Sequence, residues 1–163
     1  MTKIHLGCGL DYKSDYINLD VNKSCKADVY HDLNHYPYPF KDNTADEIIA
    51  CHIIEHLDDP TQFLKECHRI LKLNGRLIIE CPIGGTWAGY HFNHKTSGYT
   101  PYSFLIFNQK RWNWQFKDMP FKVGKMVVQP FFNKKINLPW RFIYLNCFVN
   151  NILTAMKAEL IKT

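Results

Sequence analysis

Five short apolar runs, each halted on its C-terminal side by glycine, an acid, cysteine or proline, constrain how residues 1–83 can fold. Lys3-Ile4-His5-Leu6 stops at Gly7-Cys8-Gly9, and Tyr16-Ile17-Asn18-Leu19 stops at Asp20. Ala27-Asp28-Val29-Tyr30-His31 ends at Asp32, and Asp46-Glu47-Ile48-Ile49-Ala50 runs into Cys51-His52. Arg76-Leu77-Ile78-Ile79-Glu80 ends ahead of Pro82, which has no N–H for a ladder. Between the last two runs lies a helical pattern. Asp59-Pro60 opens it, Phe63, Leu64, Cys67, Ile70 and Leu71 recur at three-to-four spacing, and Asn74-Gly75 closes it. A shorter helix is expected from His52 to Leu57. Strands alternating with helical patterns predict an α/β fold with a doubly wound, mostly parallel sheet. In such sheets ligands bind beyond the carboxyl ends of the strands. The residues to inspect are therefore Gly7, Cys8, Gly9, Asp20, Asp32, Cys51 and His52.

The chain of 163 residues is the size of one domain and can bury a core without disulfide staples. No apolar run reaches the roughly 18 residues of a membrane span. Leu6-Gly7-Cys8 resembles a lipoprotein cleavage site, but only seven residues precede Cys8, and Lys3 and His5 break the apolar stretch. The six cysteines make no Cys-x-x-Cys pair. Scattered thiols of this kind are expected to be reduced and mostly buried, in a cytoplasmic protein.

Charge divides the domain. Residues 1–83 carry nine Lys and Arg against thirteen Asp and Glu, whereas residues 84–163 carry eleven against two. Of 24 aromatic residues, 17 lie after residue 83. This predicts an acidic scaffold half, 1–83, that holds a cofactor, and a basic, aromatic half, 84–163, that recognises a substrate.

The Gly7-Cys8-Gly9 turn lets backbone approach a ligand closely, and Asp20 can accept hydrogen bonds from both hydroxyls of a ribose. A plain tight turn is the competing reading. A dinucleotide would need a helix N-terminus facing its pyrophosphate. Between Gly9 and Asp20 there is room for one or two helical turns at most, or none. The third glycine of a dinucleotide fingerprint is replaced by Tyr12. S-adenosylmethionine (SAM), a phosphate-free sulfonium cation, fits better beside an acidic half.

Leu6-Gly7-Cys8-Gly9 followed by Tyr16-Ile17-Asn18-Leu19-Asp20 resembles the first motif of class I SAM-dependent methyltransferases, closest to the small type 11 group. Three further segments are similar in the same order. They are His31-Asp32-Leu33 with Tyr38-Pro39-Phe40 and Asn43-Thr44-Ala45-Asp46, then Ile53-Ile54-Glu55-His56-Leu57, and then Asp59 through Leu77. The resemblance covers residues 3–82 and departs from the family where Asn74-Gly75 replaces Pro-Gly-Gly. It implies a Rossmann-like methyltransferase fold with a shortened first helix. It also implies that Gly7, Cys8 and Gly9 line the methionine and ribose, that Asp20 holds the ribose, and that Asp32 and Leu33 flank the adenine. Cys51 and His52 would lie near the reacting methyl. Methyl transfer would leave S-adenosylhomocysteine.

In the second half, Asn93-His94-Lys95 ahead of Ser103-Phe104 is similar to a substrate-side loop of the related enzymes. This makes His94 the first candidate for an acid, base or orienting residue, ahead of His52 and His56. The competing readings are a surface-loop histidine for His94, a helix-surface or core residue for Glu55 and His56, and a turn cap for Asp32. His91 and His94 lack a visible third ligand, so no metal is expected. Helices are expected over 104–114 and 146–161, and a strand over 121–132. The basic residues Lys110, Arg111, Lys117, Lys122, Lys125, Lys134, Lys135 and Arg141 are compatible with an anionic methyl acceptor, nucleic acid or an anionic membrane surface, and Trp112, Trp114 and Trp140 with a lipid interface. No nucleic-acid motif selects among these. Two other functions stay open: a SAM-binding partner or sensor without transferase activity, and a basic nucleic-acid or lipid-binding module on a Rossmann-like scaffold.

Overall fold

The computed structural model describes residues 1–86, 88–109, 116–130 and 153–163. Among the described residues seven strands form one sheet: β1 (Lys3–Leu6), β2 (Ile17–Asp20), β3 (Val29–Tyr30), β4 (Ala45–Cys51), β5 (Leu71–Pro82), β6 (Phe121–Pro130) and β7 (Leu153–Lys162). Their order is β3-β2-β1-β4-β5-β7-β6. The first five strands are parallel, and β7 is inserted antiparallel between β5 and β6. The chain therefore runs outward from β1 to one edge, returns through β4, and continues to the other edge. That reversal beside β1 places a crevice beyond the carboxyl ends of β1, β2 and β4.

The connection from β1 to β2 contains turns and no helix. It is fastened to its neighbour by Gly7 N and Cys8 N, which donate to the Leu19 carbonyl at 2.8 and 3.1 Å. After β4 a single 3-10 turn, Ile54–His56, stands where a short helix was expected from His52. His52 itself is left-handed at φ 55°, which stops a regular helix from starting there.

Helix α1 (Pro60–Ile70) begins as its sequence predicts. Asp59 accepts from Thr61 N and Gln62 N at 2.9 Å, with Pro60 in the first turn. It ends earlier than predicted. Leu71 turns extended and pairs with Ala45, and Asn74 at φ 63° bends the chain into the regular part of β5. Gly75 belongs in that bend because a Cβ there would lie 2.8 Å from the Lys72 carbonyl oxygen.

Residues 146–161 were expected to form a closing helix. Their described part is strand β7 instead. Ala, Met, Lys, Glu and Leu are strong helix formers, which misleads a propensity argument. Met156, Ala158 and Leu160 are wholly buried at a period of two, and that alternation carries the strand. The helix expected over 104–114 starts earlier, as α2 (Pro101–Leu105), and continues as a 3-10 turn over Ile106–Asn108. Residues 110–114 lie outside the described residues. The strand expected over 121–132 is β6 as far as Pro130, and residues 131 and 132 lie outside the described residues.

The described helices pack on one face of the sheet. Ile4, Leu6, Leu19, Ile48, Ala50, Leu77, Ile79, Met156, Ala158 and Leu160 form that face, joined by Phe63, Cys67 and Ile70 of α1 and Phe104 of α2. The register puts Lys3, His5, Asn18, Glu47, Arg76, Glu80, Lys157 and Glu159 on the other face. There Glu47 accepts from Tyr16 Oη and from Arg76 Nε at 2.5 Å, and Arg76 Nη1 lies 3.8 Å from Glu159.

Candidate functional site

A cavity of about 160 Å³ lies at the crevice, lined by Gly7, Asp20, Val21, His31, Asp32, Leu33, Asn34, Ile53, His56 and Leu57. Each wall is the end of a strand or the residues just past it. Gly7 and Gly9 are left-handed at φ 66° and 50°, a conformation that glycine adopts without strain. A Cβ on Gly7 would fall 2.0 Å from Ile53 Cδ1, so only a bare backbone fits between β1 and the residue after β4.

Asp20 links the two strand ends. Its Oδ2 accepts from Gly9 N at 2.7 Å and its Oδ1 from Asn22 N at 2.8 Å. An ionised carboxylate has about four acceptor positions, so two remain for ligand hydroxyls. Asp32 accepts from Asn34 N at 2.9 Å and stands 3.0 Å from His35 Nδ1. These contacts hold its carboxyl below the usual range, against the upward push of burial. The turn-cap reading of Asp32 is thus present in the structure, together with a place on the cavity wall.

The other sequence candidates stand elsewhere. Cys8 is buried beside the Lys26 carbonyl, and burial together with the Asp20 charge pushes its thiol up to about 11. It is therefore a neutral thiol at ordinary pH. Cys51 ends β4 and His52 follows it, and neither lines the cavity. His52 Nδ1 is 3.3 Å from Glu55 Oε1 and its Nε2 is 4.0 Å from Glu80, and these carboxylates raise its pKa.

The structure brings His94 against His56, with ring centroids 4.9 Å apart. His56 Nδ1 faces the Asn93 carbonyl at 3.0 Å and His94 Nδ1 faces the Gly89 carbonyl at 3.2 Å. The loop is tied down by Lys95, whose N donates to the Glu55 carbonyl at 2.9 Å and whose Nζ pairs with Asp58 at 2.5 Å. Sequence reasoning set Glu55 aside as an ordinary helix or core residue. Its side chain is fully buried, and among the described residues neither carboxylate oxygen has a hydrogen-bond partner. Ligand atoms of Glu55, His56 and His94 all lie within 4.8 Å of one another. The signal available in the sequence was the Glu55-His56 pair just beyond the fourth strand. Nothing in the spacing shows that a loop 38 residues later folds back onto it.

Residues 5–79 match a family described as a methyltransferase domain. That match lies in the part of the chain that holds β1 to β5. A curated relative from Mycobacterium tuberculosis, named as a probable S-adenosylmethionine-dependent methyltransferase, is 28% identical over 95 residues. That match covers 48% of this chain and 35% of the relative. A relative of the same description from Mycolicibacterium smegmatis is 30% identical over 96 residues, covering 48% and 37%. The chain thus spans little more than a third of the length of these relatives. A SAM-dependent methyltransferase from Archaeoglobus fulgidus superposes with a TM-score of 0.66 at 15% identity, covering 99% of this chain and 86% of that one. Among the described residues, the likeness in fold therefore extends to β6 and β7.

Among the described residues, no helix is long and apolar enough to cross a membrane.

Proposed function

We propose that the chain transfers the methyl group of SAM to an acceptor held at the His56–His94 side of the crevice. The observation that carries this reading is the hydrogen bond from Gly9 to Asp20, which lines one cavity together with Gly7, Asp32 and Leu33. At about 160 Å³ the cavity is smaller than the roughly 300 Å³ at the low end of whole-ligand pockets. It would take the adenosyl end. The amino-acid end would lie along the Gly7–Gly9 turn, where the bare glycine backbone leaves room once Ile53 rotates.

In this reading Asp20 receives the two ribose hydroxyls on its free acceptor positions. Asp32 and Leu33 border the adenine, and Gly7, Cys8 and Gly9 offer backbone to the rest. SAM supplies a methyl group on a sulfonium that leaves readily, so the protein contributes position more than chemical force. Holding an acceptor atom about 3–3.5 Å from the methyl carbon, in line with the breaking bond, is the main source of rate. His94 and His56 are the proposed orienting residues on the acceptor side. His52 is a weaker candidate, because it is half exposed and turned to Glu55 and Glu80.

A cytoplasmic location is part of the proposal. It is supported by the free thiols of Cys8, Cys25, Cys51, Cys67 and Cys81. The test of function is conversion of SAM to S-adenosylhomocysteine in the presence of fractionated cell extract as acceptor source. Acceptor-dependent turnover supports the transferase reading. SAM binding with no turnover in any fraction would instead make the chain a SAM-binding partner or sensor.

A further inference from the structure

We propose that Glu55, His56 and His94 form a binding site for one first-row divalent transition-metal ion, of the Zn²⁺ class, at the acceptor side of the crevice. The inference starts from Glu55. A carboxylate with no exposed surface and no hydrogen bond on either oxygen is a costly arrangement, and native structures retain such groups where something neutralises them. The nearest cationic candidate, His52, is half exposed and contacts only Oε1, at 3.3 Å. Among the described residues Oε2 has no hydrogen-bond partner.

The two neighbouring imidazoles are oriented as metal ligands are. His56 Nδ1 and His94 Nδ1 each face a backbone carbonyl, of Asn93 and Gly89 respectively. Donation of Nδ1–H to those carbonyls fixes the tautomer and leaves each Nε2 lone pair available, which is the usual outer-sphere arrangement around a ligating histidine. Two imidazoles and one carboxylate suit Zn²⁺ and its first-row neighbours and suit Mg²⁺ poorly. The ligand atoms lie within 4.8 Å of one another. Bonds of about 2.0–2.2 Å would bring them to roughly 3.4 Å apart in tetrahedral geometry, a movement that side-chain rotation can supply. Three protein ligands leave a coordination position open, as in catalytic rather than structural zinc sites.

The placement gives the ion a role, and this role rests on the methyl-transfer reading above. His56 lines the nucleoside cavity and also belongs to the ligand set, so the two sites share a wall. An oxygen acceptor such as a hydroxyl would occupy the open position. The ion would lower the hydroxyl's pKa and aim an oxygen lone pair at the methyl carbon. The hydroxyl proton would pass to solvent, the new C–O bond would form as the C–S bond breaks, and the electron pair of the C–S bond would stay on sulfur. Neither histidine acts as a general base in this scheme, because both Nε2 atoms are committed to the ion.

The test uses the untagged 163-residue chain stripped of metal with a chelator, then titrated with ZnCl₂ against a chromophoric competitor. One equivalent of Zn²⁺ should bind to the parent chain. His94→Ala and Glu55→Gln should each weaken binding at least about tenfold, the lower end of what loss of a supporting contact alone does at metal sites. Thermal unfolding gives a second readout: Zn²⁺ should raise the midpoint of the parent chain and leave that of His94→Ala unchanged. Absence of Zn²⁺ binding, or binding that neither substitution changes, overturns the site. Binding of S-adenosylhomocysteine by the zinc-free protein is measured in parallel, so failure of the metal site and failure of the nucleoside site are read separately.

Discussion

Gly9 N–H donates to Asp20 Oδ2 at 2.7 Å, which joins the turn after β1 to the end of β2. One carboxylate thus shapes the glycine turn and faces the crevice. Asp20→Ala should raise the dissociation constant of SAM by roughly 10- to 150-fold, the equivalent of about 1.5–3 kcal/mol for hydrogen bonds to a charged group. Calorimetric titration of both proteins measures this, and unchanged affinity would remove Asp20 from the site.

The two glycines of the turn should respond differently to alanine. Both are left-handed, so each substitution carries about 1–2 kcal/mol of backbone strain. At Gly9 a Cβ meets nothing within 4 Å, whereas at Gly7 it strikes Ile53. Gly7→Ala should therefore lose more stability than Gly9→Ala. It should also weaken SAM binding more, because the displaced Ile53 moves along the cavity wall. Unfolding midpoints and SAM titrations of the pair check the order, and equal effects would contradict it.

Much of this arrangement was legible in the sequence. Strand ends carry their own punctuation: Gly7, Asp20 and Asp32 were singled out because glycine and acid just past apolar runs mark the carboxyl edge of a parallel sheet, Leu33 came from the family resemblance, and all four line one cavity. The Asp59-Pro60 start of α1 was equally plain, since its cap is local. What failed was non-local. Residues 153–162 have helical composition but fill a gap between β5 and β6, and only the burial of Met156, Ala158 and Leu160 selects the strand. Glu55 passed as ordinary because its neighbourhood is assembled from a distant part of the chain: its backbone carbonyl accepts from Lys95 N, 40 residues on. The basic residues Lys110, Arg111, Lys134, Lys135 and Arg141, with Trp112, Trp114, Trp140 and Cys147, lie outside the described residues.

The last strand also secures the helix. Lys162 Nζ donates to the carbonyls of His68 and Leu71 at the end of α1 and to Asn43 Oδ1, each at 2.8 Å. A cation at a helix C-terminus satisfies open carbonyls and complements the dipole. Lys162→Met keeps the stem and removes the charge. It should cost about 1–2 kcal/mol and lower the thermal midpoint by roughly 2–8 °C. Thermal unfolding by circular dichroism measures it. No change would place this contact outside the stability of the fold.

Acid should weaken the same layer through Glu66. Burial raises the pKa of this side chain, but Arg69 and the Tyr38 N–H outweigh that, so the net shift is downward from 4.5. A carboxyl with a lower pKa in the folded state stabilises fully above its unfolded value and loses that contribution as pH falls through the folded value. Urea midpoints measured from about pH 6 down to about pH 3 should fall more steeply for the parent chain than for Glu66→Gln. Parallel slopes would contradict the assignment.

The central claim is that the crevice grips an adenosyl group without a phosphate. Calorimetric titration with S-adenosylhomocysteine and, separately, with NAD⁺ tests it most directly. The account predicts one equivalent of S-adenosylhomocysteine bound and no saturable heat from NAD⁺. No binding of S-adenosylhomocysteine, or saturable binding of NAD⁺ at the same site, would contradict it.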